Sequence, residues 1–325
     1  MNRHDLLTAQ LPFTLRDAEF PNLGAHYRGK VRDNYTQGDR ITMITSDRLS
    51  AFDRVLTTVP FKGELLNRLT TFWFAKTQHI ARNHILELPD PSVMIVRKLR
   101  ALPVEVVVRG RLTGSLWRDV EAGKGASAYG VELDPAMRRD QAFEKPILTP
   151  STKEAVGAHD MPISPREIVA RGLVSQTQWS EIEEKALALF AEGQRHARER
   201  GLILVDTKYE FGVDEKNGLW LIDEIHTADS SRYWILEGSD DRFARGEEQR
   251  GLDKEFVRQW LIRERGWKGD GPAPEIPDEV RVQLAERYCQ LVELLTGESF
   301  IPIVGDTRAR IARALDTVRN VRATP

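Results

Sequence analysis

Leu202-Ile-Leu-Val-Asp-Thr-Lys-Tyr-Glu-Phe-Gly-Val213, followed by Asp-Glu-Lys-Asn217-Gly218 and then Leu219-Trp-Leu-Ile-Asp-Glu-Ile225, is the stretch whose reading decides the fold. Residues 202–205 are a continuous apolar run and read as a buried strand. From Asp206 the pattern alternates. Successive side chains of a strand point to opposite faces, so Asp206, Lys208 and Glu210 share one side. Asn217-Gly218 is the strongest turn signal in the chain and predicts a hairpin joining 208–213 to 219–225. With a two-residue loop, Asp223 stands opposite Gly212, diagonal to Glu210 and on the same face. Three carboxylates and a lysine then converge at the end of a buried strand. Crowded carboxylates raise each other's pKa unless a cation joins them. A hard divalent ion resolves this, and Mg2+ typically takes one or two carboxylates plus phosphate oxygens. The alternative for the same residues is a surface salt-bridge ladder.

Working outward, a helix is predicted over 179–200, capped by Ser175 with Gln178 or by Ser180 with Glu183, and stopped by Gly201. Toward the N-terminus, 27–35 and 40–45 flank Gln37-Gly38-Asp39 as a hairpin, and 65–80 has a helical apolar pattern. The β-branched runs 93–99 and 104–108 are split by Pro103, which reads as a crossing between two lobes. Residues 123–164 lack clear periodicity, and a stretch that long is either disordered or functional. The charged segment 237–250 reads as a mobile loop. Asp278 opens a helix that Gly297 ends, with Cys289 inside it as a core residue, and a last helix covers 306–319.

The chain has 325 residues, 47 Lys plus Arg against 49 Asp plus Glu, and a formal net charge of -2. That balance argues against a protein that coats nucleic acid or an anionic membrane. One cysteine excludes a disulfide framework or a cysteine-built zinc site within the chain. No signal peptide and no apolar run of ~20 residues is read, so a cytoplasmic protein with no membrane partner is expected.

Five further motifs carry candidate chemistry. Arg28-Gly29-Lys30-Val31-Arg32-Asp33 lies on a hairpin and lacks the P-loop pattern; Lys30 and Arg32 alternate and suit phosphate, or form a solvated basic strand. Arg109-Gly-Arg-Leu-Thr-Gly-Ser115 suits a phosphate or carboxylate, or is a glycine turn with incidental arginines. Asp229-Ser-Ser231-Arg232 offers hydroxyls and a guanidinium to a second anion. Thr149-Pro-Ser151-Thr-Lys153 lies in the irregular segment, and Ser46-Asp47-Arg-Leu-Ser-Ala-Phe-Asp53 is a strand-exit loop with two carboxylates. His226 and His159 lie near motifs, but a lone histidine is more often structural; no zinc, nucleophile-elbow or dinucleotide pattern is present.

In this order the motifs resemble the phosphoribosylaminoimidazole-succinocarboxamide synthase (SAICAR synthetase) family. Matching strings run from Arg28-Gly-Lys-Val-Arg-Asp33 through Thr45-Ser-Asp-Arg-Leu-Ser-Ala-Phe-Asp53, Val106-Val-Val-Arg-Gly-Arg111 and Lys145-Pro-Ile-Leu-Thr-Pro-Ser-Thr-Lys153. Leu204-Val-Asp-Thr-Lys-Tyr-Glu-Phe-Gly212 and Asp223-Glu-Ile-His-Thr-Ala-Asp-Ser-Ser-Arg232 complete them. The resemblance implies an α+β, two-lobed ATP-binding fold with antiparallel sheets and flanking helices. We divide it as a nucleotide-binding lobe over 1–105 and a lobe with metal and substrate sites over 106–325.

It also implies an ATP- and Mg2+-dependent ligase joining L-aspartate to the carboxylate of an imidazole ribonucleotide. Gly29, Lys30, Val31 and Arg32 would cover the ATP phosphates, Lys98 would border the nucleotide and Glu210 would hold its ribose or adenosine side. Asp223 would ligate Mg2+, with Asp206 nearby, and Lys208 belongs to the same catalytic group. Arg109, Ser115, Ser231 and Arg232 would grip the ribonucleotide, and Asp53 and Asp47 would serve metal or substrate. Ser151, Lys153 and Asp160 are assigned to the aspartate pocket. A monomer and a dimer both remain open.

The chemistry explains the groups. A carboxylate does not accept an amine until phosphorylation makes its oxygen a leaving group, and that transfer needs charge neutralisation and alignment. A kinase on the same scaffold is the second reading. A nucleotide-sensing or RNA-binding protein is the third, disfavoured by the charge of -2.

Overall fold

The computed structural model describes residues 2–153 and 161–323, with side chains to residue 318. Asp160 and His159 lie outside the described residues. Helices alternate with sheets whose paired strands are antiparallel, so the fold class is α+β, as the resemblance implies. No described helix is long and apolar enough to cross a membrane.

The chain divides into two compact units: Met1–Phe72, His84–Lys98 and Leu252–Pro325 form one, and Trp73–Asn83 with Leu99–Gly251 the other. This departs from the expected 1–105 and 106–325 division in two ways. The crossing lies at Lys98 and Leu99, because Pro103 sits inside the strand Arg100–Arg111. The register shifts there, with Glu210 facing Glu105 and Gly212 facing Ala101. A proline has no N–H to give the ladder and is tolerated at such a bulge. The C-terminal helices also belong with the N-terminal residues. Ile311 and Leu315 of the helix Thr307–Ala323 are buried in one cluster with Tyr35, Ile44 and Val93. Each such side chain contributes about 1.5–3 kcal/mol on burial.

The first unit holds a sheet ordered Ala25–Arg28, Arg32–Gln37, Arg40–Thr45, Val93–Arg97, Ile85–Asp90. The hairpin at Gln37-Gly38-Asp39 is present, Gln37 facing Arg40. The expected single strand over 27–35 is instead a second hairpin, Arg28 facing Asp33 across a turn at 29–32. Arg48–Ala51 pairs with Arg54–Thr58 through the two-residue turn Phe52-Asp53, whose φ values are 52° and 59°.

The second unit is built on Leu202–Val213. Arg100–Arg111 covers one edge. On the other edge Ser231–Ile235 pairs with 202–207 and Leu219–Ile222 with 210–213. Residues 223–230 leave the sheet through the gap between them. The helix Gln176–Glu199, capped by Ser175 and Gln178, packs on this sheet with Trp179, Ile182, Ala186, Leu189 and Phe190 buried at helical spacing. Part of the stretch read as irregular is strand: Ala142–Leu148 and Ser151–Thr152 pair with Arg100–Arg111. Part of the charged segment 237–250 is helical, over Ser239–Arg245. Cys289 is fully buried, and burial pushes its thiol up to about 12, a core residue as expected.

Candidate active site

The central hairpin differs from the two-residue expectation. Val213 faces Leu219 and Glu210 faces Ile222, so the connection spans 214–218. Asp214 closes it: its Oδ1 accepts the amides of Lys216 (3.0 Å) and Gly218 (2.8 Å), and its Oδ2 accepts Trp220 Nε1 at 2.9 Å. A side-chain acceptor of this kind widens a turn by satisfying amides that a tight turn would pair across the strands. In this register a straight continuation would set Asp223 opposite Tyr209, on the face away from Glu210. The backbone avoids that. Asp223 is left-handed, φ 66°, and leaves the strand, and its charge acts on Lys208 and Lys153.

His226 anchors the segment 223–230. It is fully buried, with Nε2 2.5 Å from the Tyr209 hydroxyl and its ring edge-on to Trp73 at 4.6 Å. Gly193 makes room, since a Cβ there would stand 2.6 Å from the His226 ring. Burial, with His196 adding, pulls the imidazole down to about 3, so it is neutral. This is the structural histidine that the sequence favours.

Beside Asp223, Lys208 Nζ donates to Glu105 Oε1 (2.8 Å) and Glu210 Oε1 (2.6 Å), and Lys153 Nζ donates to Glu210 Oε2. Burial would raise the Glu210 carboxyl, but Lys208 and Lys153 outweigh it and hold it well below the usual range. Burial would lower Lys208, but Glu210, Glu105 and Asp223 hold it well above. Among the described residues no three His, Cys, Asp or Glu form a metal cage. Mg2+ needs none, because it keeps waters and takes phosphate oxygens beside one or two carboxylates. Asp223 is a hard oxygen donor and fits that ion, whereas both oxygens of Glu210 are already engaged by Lys208 and Lys153.

Two residues up the same face, charge inverts. Asp206 pairs in register with Arg109 on one neighbour and Arg232 on the other. Its Oδ2 accepts from Arg109 Nη1 at 3.1 Å and from Arg232 Nη1. Arg109 also donates Nε to Thr149 Oγ1 (2.7 Å) and Nη2 to Ser115 Oγ (2.9 Å). Burial, helped by Arg232 and opposed by Asp206, lowers the Arg109 pKa. Ser115 lies in the first turn of the helix Gly114–Glu121, and Gly114, φ 62°, lets the Arg232 guanidinium lie against its backbone where a Cβ would meet it at 2.4 Å. Guanidiniums, hydroxyls and a helix N-terminus at one place bind phosphate well.

In the first unit, Lys30 is exposed at the tip of the 29–32 turn, and its Nζ donates to Asp53 Oδ1 at 2.5 Å. Gly29 N donates to Arg32 O at 2.7 Å, so a Cβ on Gly29 would stand only 3.1 Å from that oxygen.

Residues 25–274 match the family model described as SAICAR synthetase. The chain belongs to the SAICAR synthetase family. The phosphoribosylaminoimidazole-succinocarboxamide synthase of Legionella pneumophila (strain Lens) is 47% identical over 296 residues, covering 90% of this chain and 93% of that one. A solved SAICAR synthase from Saccharomyces cerevisiae, complexed with SAICAR, superposes with TM-score 0.75 at 30% identity over 88% of this chain and 99% of that one. A type-2 SAICAR synthetase in complex with ADP gives 0.65 at 25% identity over 85% and 100%.

Within this SAICAR synthetase family chain, Lys208, Glu210 and Asp223 come together, as do Arg109, Ser115 and Arg232. Other residues stand elsewhere than the sequence puts them. Arg32 does not share a face with Lys30; it is buried, 6% exposed, in the following strand. Asp47 is buried, its Oδ2 accepting Leu15 N at 2.7 Å and its Oδ1 Gly63 N at 2.9 Å, and burial raises it to about 6. Asp206 serves two guanidiniums, and Ser231 shares its hydroxyl with Thr207 at 2.7 Å. Lys98 is exposed at the crossing, its amide donating to Asp39 O at 2.8 Å. Ser151 is half-buried opposite Glu105. Sequence reading assigns no site role to Glu105, which no motif marks; Gly114 lies in a quoted motif, but only the fold sets it against Arg232. Thr149 lies in a quoted motif, but only the sheet brings it to Arg109.

Proposed function

We propose that this chain joins L-aspartate to the carboxylate of 5-amino-1-(5-phosphoribosyl)imidazole-4-carboxylate, giving the succinocarboxamide, ADP and phosphate. The carboxylate oxygen attacks the γ-phosphorus of ATP and ADP leaves, forming an acyl phosphate. The deprotonated amine of aspartate attacks the acyl carbon, the C–N bond forms, and phosphate departs with the bonding pair. The proton lost by the amine passes to water.

The observation that carries this reading is the single face of Leu202–Val213, where an arginine pair with hydroxyls lies two residues from a lysine-held carboxylate cluster. Arg109, Ser115 and Arg232 grip the ribose phosphate, and Asp206 keeps the two guanidiniums apart and aimed. Asp223 would hold Mg2+, which would neutralise charge on the transferring phosphoryl group, and Glu210 would hold the ribose or adenosine side of the nucleotide. Lys208 keeps Glu210 ionised and in place. The 29–32 turn covers the ATP phosphates with Lys30 at its tip, and Lys98 borders the nucleotide. Asp53 receives Lys30 when no phosphate does. Ser151, Lys153 and Asp160 belong to the aspartate pocket. We put the reaction in the cytoplasm, without a nucleic acid or membrane partner.

The test is ADP formation from ATP and Mg2+, with the imidazole nucleotide and aspartate omitted in turn. ADP release should require both. ADP release without aspartate would make the chain a kinase of the same nucleotide. No turnover with steeply salt-dependent RNA binding would leave a binding protein.

A further inference from the structure

We propose that Arg48 is a positioning residue that turns the amides of Lys30 and Val31 outward as an anion-binding nest. This rests on the reading that the 29–32 turn covers ATP phosphates. Arg48 is only 1% exposed. Its Nε donates to Lys30 O at 3.0 Å, its Nη2 to Gly29 O at 3.1 Å and its Nη1 to Arg16 O at 2.7 Å. Nη1 also lies 2.7 Å from Asp33 Oδ2. Asp33 is fully buried, and its Oδ1 meets His26 Nε2 at 2.9 Å across the same hairpin. The next carbonyl, of Val31, accepts from Ser46 N (2.9 Å) and Ser46 Oγ (2.8 Å).

The consequence follows from peptide planarity. In a trans peptide the C=O and the N–H of the next residue point in opposite directions. With Gly29 O and Lys30 O drawn onto Arg48, the N–H groups of Lys30 and Val31 point away from it. Neither amide donates to another group among the described residues. Successive free amides in a turn form a concavity that binds anions. The planar guanidinium fork can hold both carbonyls and a carboxylate at once, whereas a lysine ammonium is a single point. Asp33 supplies the counter-charge that lets the guanidinium stay buried.

The experiment follows the 15N–1H resonances of the full chain on addition of ADP, with affinity measured by calorimetry. In the wild type the Lys30 and Val31 amides should move downfield. Arg48→Lys keeps a cation beside Asp33; it should bind ADP about tenfold or more weakly, as expected from losing one or two charge-assisted hydrogen bonds, with both amide shifts reduced. Its KM for aspartate should stay within about twofold of wild type, a split that a general loss of folding would not produce. Lys30→Glu tests the underlying reading separately: unchanged ADP affinity in that variant means that the turn does not meet the phosphates. If Lys30→Glu weakens ADP while Arg48→Lys binds it with wild-type affinity and shifts, the positioning role falls alone. Should Arg48→Lys not fold, the wild-type titration decides, and unmoved Lys30 and Val31 amides overturn the proposal.

Discussion

Two ends of one strand carry opposite charge. On a single face of Leu202–Val213, Asp206 sits between Arg109 and Arg232, whereas Glu210, Glu105 and Asp223 surround Lys208, with Lys153 on Glu210. The first group has one positive charge in excess and the second one negative. Nothing in the strand's own alternation distinguishes them; the residues on the flanking strands set the sign. The lesson is that a strand can separate a net positive place from a net negative one by a single two-residue step, provided different neighbours cover its two halves.

That contrast can be broken at several points. The largest effect is expected at the acidic end. Asp223→Asn should lower kcat about a hundredfold or more with folding intact, as removal of a charge-stabilising group does. Near-normal turnover would remove Asp223 from the metal site. At the basic end, Arg232→Met should raise KM for the imidazole nucleotide on the order of ten- to a hundredfold through loss of a charge-assisted contact, leaving KM for ATP unchanged. A rise in both constants would erase the division of labour.

Asp206→Asn sharpens the comparison. If Asp206 aims the arginines, KM for the nucleotide should rise about tenfold, the scale of one charged hydrogen bond, while the Mg2+ concentration for half-maximal rate stays put. A shifted Mg2+ requirement would instead join the two ends in one metal site.

The smallest effect concerns stability. Glu210 titrates below its ordinary 4.5 because Lys208 and Lys153 overcome burial, so near that pH the unfolded chain binds more protons. Its stabilisation is present above pH 4.5 and is lost as pH falls further. The wild-type melting temperature should therefore drop more steeply than that of Glu210→Gln below that pH, by a few degrees. Parallel curves would show that the lysines contribute nothing there.

Much of this was legible in the chain. The alternation of Asp206, Lys208 and Glu210, the Ser175 cap, the hairpin at Gly38 and the core place of Cys289 all depend on neighbours within a few residues. Two errors have different causes. The loop length at 214–218 turned on a side chain, Asp214, competing for amides. At the split of 27–35 into two strands, the carbonyls of Gly29 and Lys30 accept from Arg48, a residue outside the hairpin that no local pattern announces.

Sequence alone determined which residue types suit an anion and which suit a cation, because side-chain chemistry and strand periodicity are local properties. Tertiary structure alone decided which carboxylate serves which partner. Asp206 and Glu210 are the same chemistry four residues apart, and only the residues packed beside them make one a clamp for arginines and the other the acceptor of two lysines. Asp223 comes to those lysines because a left-handed residue, anchored through buried His226, overrides the face that its register would dictate.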